Sequence, residues 1–205
     1  TSVYGAPLPV FTSTVTGYQY NDDSAKVLNG PTTYTFLDSN GQVVSGNNLP
    51  AGTYSIVPSL TFKTPVRYSV NAVPGTLVVT RAVLVVSAGN KTGVYGASLP
   101  AFTSSVTGYK YSDDSAKVLS GPTTYSLLNS AGQAVALNSV IPPGTYAIIP
   151  TLSLKVPSNY TVNKVNGILV INRATLVVQA RDTGIFKGDN PPVLTSSFDS
   201  YTGLV

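Results

Sequence analysis

Hydrophobic patterning is most regular where two short apolar runs meet, in Gly75-Thr-Leu-Val-Val-Thr-Arg-Ala-Val-Leu-Val-Val-Ser-Ala88. β-Branched residues dominate both runs and the polar pair Thr80-Arg81 divides them, so the pattern predicts two buried strands joined end to end. The stretch recurs as Gly167-Ile-Leu-Val-Ile-Asn-Arg-Ala-Thr-Leu-Val-Val-Gln-Ala180, divided at Asn172-Arg173. This is the mark of a seam that closes one module and opens the next, at Thr80, Arg81 and Ala82 and again at Asn172, Arg173 and Ala174. A run from Thr76 to Ala88 in strand conformation would span about 43 Å with little slack, so the modules are expected to lie end to end.

Between the seams the pattern changes from element to element. Leu84 to Ala88 reads as an opening strand, and Asn90-Lys-Thr-Gly93 as a turn. Phe102, Ser104, Val106 and Gly108 would share one face of a half-buried strand. Ser112 to Leu119 predicts one or two helical turns, with Ser112 as cap, Asp113 and Asp114 at the positive N-terminal end, and Lys117 four residues after Asp113. Thr123 to Leu128, Gly144 to Pro150, Asn159 to Asn163 and Ile168 to Ile171 predict further strands, with a hairpin turn at Asn129-Ser-Ala-Gly132.

Most of this pattern occurs twice. Val3-Tyr-Gly-Ala-Pro-Leu-Pro returns as Val94-Tyr-Gly-Ala-Ser-Leu-Pro, and Asp22-Asp-Ser-Ala-Lys-Val-Leu28 as Asp113-Asp-Ser-Ala-Lys-Val-Leu119. One extra residue near Pro142-Pro143 then shifts the match, so that Gly52 pairs with Gly144, Tyr68 with Tyr160 and Arg81 with Arg173. The predicted division is a repeat over 1–80 without its opening strand, a complete repeat over 81–172, and the start of a third over 173–205.

Composition narrows the class. Cys, Met, Trp, His and Glu are absent and 10% of residues are charged, while Gly, Pro, Thr, Ser, Val and Tyr are abundant. A mainly β protein stabilised by packing and strand pairing follows, without disulfides or thiolate metal sites. The net charge of +4 is mild and the basic residues are scattered, which argues against a nucleic-acid partner. No apolar run approaches the roughly 20 residues of a spanning helix, so membrane insertion is not expected of these residues.

Tyr95-Gly96, Asp114-Ser-Ala-Lys-Val-Leu-x-Gly121, Pro143-Gly-Thr-Tyr146, Asn159-Tyr160 and Asn166-Gly-Ile-Leu-Val170 stand in order and recur. In these residues the module resembles the MBG domain of the YGX type, found as tandem copies in large bacterial cell-surface proteins, adhesin-like ones included. Departures are Val66-Arg67-Tyr68 in the first repeat and Phe186-Lys187-Gly188 in the third. The resemblance implies a non-enzymatic surface repeat with a stalk or spacer role and no catalytic residues to carry over. A β-grasp-like module with one short helix is the expected fold, and an immunoglobulin-like sandwich is the alternative.

Candidate chemistry is sparse. Without His, Cys or Glu, and with no Ser-x-x-Lys or Gly-x-Ser-x-Gly signature, catalysis is not expected. Asp22, Asp23, Asp113 and Asp114 are weak candidates for Ca²⁺, which wants about 6 to 8 oxygens; a capped helix is the simpler reading. Tyr18, Tyr20, Tyr109 and Tyr111 could offer aromatic faces to glycans or a host surface, or serve as amphipathic packing residues. Arg81 and Arg173 either set an inter-module angle or stay exposed in a linker. The predicted partners are neighbouring repeats, with other copies of the chain as a further candidate through strand exchange into a filament.

Overall fold

The computed structural model describes residues 1–63, 67–155, 159–179 and 184–190, with the backbone of 201–202. The first repeat contributes β1 (Ser2–Val3), α1 (Ser24–Val27), β2 (Thr33–Leu37), β3 (Val43–Val44), β4 (Gly52–Ser59) and β5 (Gly75–Thr80). The second contributes β6 (Ala82–Ala88), β7 (Lys91–Val94), β8 (Ser104–Thr107), α2 (Ser115–Val118), β9 (Thr124–Leu128), β10 (Ala134–Val135), β11 (Gly144–Thr151), β12 (Tyr160–Val165) and β13 (Gly167–Asn172). Beyond these lie β14 (Val177–Val178) and β15 (Tyr201–Thr202). The protein is mainly β, as its composition predicts.

Both repeats build the same mixed five-stranded sheet, in the orders β1-β5-β4-β2-β3 and β7-β13-β11-β9-β10. Each closing strand pairs on one side with an antiparallel neighbour and on the other with a short parallel strand: β1 on β5, with Val3 opposite Thr80, and β7 on β13, with Val94 opposite Asn172. A third sheet has the order β12-β6-β8, and β14 pairs with β15.

Two local expectations are corrected. Lys91–Val94, which takes in the last three residues of the predicted turn, is strand β7, because the edge of β13 provides backbone partners that Asn90-Lys-Thr-Gly93 does not reveal by residue type. Asn90 keeps a turn-like role, its Oδ1 accepting the Ile168 amide at 2.8 Å. The helices are single turns, and the cap is Asp114, whose side chain accepts from the Lys117 amide, not Ser112. Asp23 caps α1 in the same way through Lys26.

Contacts divide the chain into two compact units, Thr1–Val85 with Val106–Pro122 and Leu152–Asn163, and Val86–Ser105 with Thr123–Thr151 and Lys164–Val205. The first unit's core joins Tyr4, Leu49, Tyr54, Leu77 and Val79 to Ala82, Leu84, Val118 and Tyr160, so it draws on both repeats. The second gathers Leu127, Ile141, Tyr146, Ile148, Leu169 and Ile171. Along each closing strand alternate residues point inward, Leu77 and Val79 in β5 and Leu169 and Ile171 in β13, as the period of two requires. Tyr54 and Tyr146 fix the same corner in the two sheets, each donating its hydroxyl to a proline carbonyl, Pro50 at 2.7 Å and Pro142 at 2.8 Å.

Candidate functional site

The motifs shared by the repeats meet in the first unit, around Asp113. Tyr4 follows directly on β1, and its amide donates to the Thr80 carbonyl at 2.8 Å and so anchors the side chain beside the closing strand. Tyr160, at the start of β12, approaches from the second repeat. Both phenols donate to one oxygen of Asp113, Tyr4 to Oδ2 at 3.0 Å and Tyr160 to Oδ2 at 2.7 Å. The Tyr160 oxygen in turn accepts the Lys110 amide at 2.8 Å. Charge-assisted bonds of this kind are the stronger class of hydrogen bond.

Ring packing reinforces the bonds. Tyr4 meets Tyr160 edge to face at 5.4 Å and Tyr111 at 5.3 Å, both within the range of favourable aromatic pairs. Tyr109 meets Tyr160 at 6.3 Å. Burial, and then the hydrogen bond to Asp113, push the phenol of Tyr160 well above its ordinary value, and the same two causes in the same order raise Tyr4. A carboxylate that accepts from two phenols keeps both protonated, because ionising either would set two negative charges against each other. The cluster holds parts of the chain together, with the phenols of Tyr4 and Tyr160 protonated at neutral pH.

Glycine makes the close approach feasible. Gly5, following Tyr4, has φ +85°, and a Cβ there would lie 2.4 Å from Lys110 Cγ. Gly108 has φ +100°, and its Cβ would meet the Val83 carbonyl oxygen at 2.4 Å. Asn159 completes the junction: its Oδ1 accepts the Ala51 amide and its carbonyl the Ala82 amide, each at 2.9 Å.

The first repeat carries an equivalent half of this arrangement. Tyr68 donates to Asp22 Oδ2 at 2.7 Å, the Gln19 amide donates to the Tyr68 oxygen at 3.0 Å, and Tyr18 meets the Tyr68 ring at 6.2 Å. Tyr20, the counterpart of Tyr111, is 98% exposed, against 47% for Tyr111 beside Tyr4.

The paired aspartates singled out in the sequence thus divide their work. Asp23 and Asp114 cap helices, while Asp22 and Asp113 accept tyrosine hydroxyls. Among the described residues no group of three or more metal-ligating side chains converges. Tyr18 and Tyr109 turn inward, their hydroxyls buried without a hydrogen-bond partner. Thr80 ends β5, Arg81 lies exposed between β5 and β6, and Ala82 is buried; Asn172 and Arg173 are exposed and Ala174 half-buried. Sequence reasoning missed the Asp113 pairing. The available signal was the doubled aspartate itself, since a single-turn helix needs only one cap.

A family model for the MBG domain (YGX type) matches residues 1–78 and again residues 84–170. No curated protein and no solved structure gives a significant match.

Proposed function

Because the chain belongs to the MBG domain (YGX type) family, whose members are repeat modules, we propose that it is a non-enzymatic structural segment of a bacterial surface protein, serving as a spacer or stalk. The observation that carries this reading is the junction at Asp113, where the Tyr-Gly motif of one repeat meets the Asp and Asn-Tyr motifs of the next. A motif set that recurs in order, and whose parts from successive repeats bind each other, suits an array in which every added repeat is fastened to the last. Placement outside the cell agrees with a side-chain inventory lacking Cys, Met, Trp and His, which leaves little for oxidants to attack.

The test pairs a pulling experiment with a binding screen. Held at its two ends, the chain is expected to unfold at lower force when Asp113→Asn weakens the junction. A glycan array is expected to retain none of the protein. Specific retention that is lost on Tyr20→Ala, at the most exposed of the four candidate tyrosines, would overturn the spacer reading in favour of an adhesin module.

A further inference from the structure

Within the first unit four tyrosine rings stand in a row. Tyr111 meets Tyr4 at 5.3 Å, Tyr4 meets Tyr160 at 5.4 Å and Tyr160 meets Tyr109 at 6.3 Å, at interplanar angles of 82°, 85° and 75°. Tyr4 and Tyr160 are buried and Tyr109 is half-buried, while Tyr111 is 47% exposed and opens the row to solvent. Edge to face at 5.3 Å, the ring edge of one residue lies in van der Waals contact with the face of the other. The bonds to Asp113 account for the hydroxyls of Tyr4 and Tyr160. They do not account for a tyrosine at 111, where a phenylalanine would pack as well against Tyr4.

The side-chain inventory decides how this row responds to an oxidant. Thiols and thioethers are the usual first targets, with indole and imidazole as competitors. The chain has none of these groups and has 13 tyrosines. A one-electron oxidant in water therefore reacts with tyrosine, and it meets Tyr111 before the buried members of the row. Beside Tyr111, Tyr4 is set to lose an electron and a proton together, because its hydroxyl already donates to Asp113 Oδ2 at 3.0 Å. Burial, and then that hydrogen bond, raise the Tyr4 phenol, so it is protonated at neutral pH and the carboxylate is its proton acceptor during oxidation.

We propose that Tyr4 and Tyr111 form an oxidative cross-linking site, joined ring to ring as dityrosine by hydrogen peroxide acting through a haem peroxidase. Each phenol gives up one electron and one proton, the proton of Tyr4 passing to Asp113 and that of Tyr111 to solvent. The two phenoxyl radicals pair their electrons in one carbon–carbon bond between ring positions adjacent to the oxygens, Cε to Cε. The hydrogen on each of those carbons then moves through solvent to its own ring's oxygen, which restores both phenols. The two electrons and two protons removed reduce one hydrogen peroxide to two waters. Tyr111 supplies the movement that the bond requires, since an exposed side chain turns about its torsions on the picosecond to nanosecond scale. Tyr4 and Tyr160 are as close but both buried, and Tyr18 and Tyr68 are farther apart at 6.2 Å, so Tyr4 and Tyr111 combine proximity with access. The bond fastens the Tyr-Gly motif of one repeat to the segment after Gly108 in the next. It does not depend on the spacer reading, because the coupling follows from ring proximity whether or not the protein bears load.

The test uses the full chain at about ten micromolar, where a ring held alongside outcompetes one on another molecule. After treatment with hydrogen peroxide and a haem peroxidase, the monomer is recovered and digested with trypsin. Tyr111 is the one tyrosine of fragment 111–117, and Tyr4 lies in fragment 1–26. The expected product is these two fragments joined, about 2 Da lighter than their sum, with dityrosine fluorescence and with fragmentation placing the bond at Tyr4 and Tyr111. Tyr111→Phe and Tyr4→Phe, which keep the rings, are each expected to lower dityrosine in the monomer at least about tenfold. Tyr20→Phe is expected to leave it unchanged. Tyr20 shares the left-handed backbone of Tyr111, φ 53° against 52°, and is 98% exposed, so it controls for exposure. Oxidised monomer that carries its modifications elsewhere, or dityrosine found only between separate chains, overturns the proposal. So does a bond between Tyr4 and Tyr111 that forms in equal yield in urea, where the fold no longer holds the rings together.

Discussion

At the residue scale, Asp113 and the two tyrosines that share its Oδ2 govern the junction. Tyr160→Phe keeps the ring packing, removes one bond to a carboxylate and leaves the Lys110 amide without the acceptor it has there. Bonds to charged groups are worth about 1.5–3 kcal/mol and an amide left unpaired costs about as much, while Tyr4 continues to satisfy the same oxygen, so a loss of about 2–4 kcal/mol is expected in urea unfolding. The pH dependence has a definite sign. Both phenols are raised in the folded protein, so the unfolded chain releases their protons first. Stability should therefore be level with respect to these groups below about pH 10, the ordinary tyrosine value, and fall as pH rises beyond it. Denaturation followed from pH 8 to 12 checks this, and Tyr160→Phe should flatten the fall.

At the scale of elements, Gly108 lies directly against the backbone of β6. Gly108→Ala would force both a positive φ and a 2.4 Å contact with the Val83 carbonyl oxygen, and backbone cannot yield as a flexible side chain can. The expected cost is about 2–4 kcal/mol, measured by the urea midpoint. Gly5→Ala carries similar strain but meets the Lys110 side chain, which can swing aside, so its cost should be smaller, about 1–2 kcal/mol. A comparison of the two variants separates backbone collision from φ strain. The capped turns are modest by comparison: Asp114→Ala should cost about 1 kcal/mol, the ordinary value of an N-cap.

At the scale of the whole molecule, the sequence repeat and the packed core do not share boundaries. Leu77, Val79 and Tyr54 of the first repeat pack in one cluster with Leu84, Val118 and Tyr160 of the second. A chain of residues 1–80 alone keeps its hydrophobic strands but loses those partners, and with them several buried side chains worth about 1.5–3 kcal/mol each. It is expected to lack a cooperative thermal transition by circular dichroism, whereas the complete chain should show one. A sharp transition from 1–80 would mean that the first repeat's own residues suffice for its core.

Much of this was legible in the chain itself. Alternation in Gly75 to Ala88 reveals two strands parted at Arg81, and the doubled Tyr-Gly, Asp-Asp and Asn-Tyr motifs reveal the tandem repeat, because strand period and repetition are local properties of a sequence. Tertiary structure alone decided which strands became neighbours. Lys91–Val94 became a strand through the edge of β13, and β5 and β6, adjacent in the chain, entered different sheets. Asp113 looked like a helix-end charge and instead joined Tyr4, 109 residues away, to Tyr160. Pairings at that separation depend on which free backbone edges and hydroxyls meet after the chain has folded, and no local pattern records them.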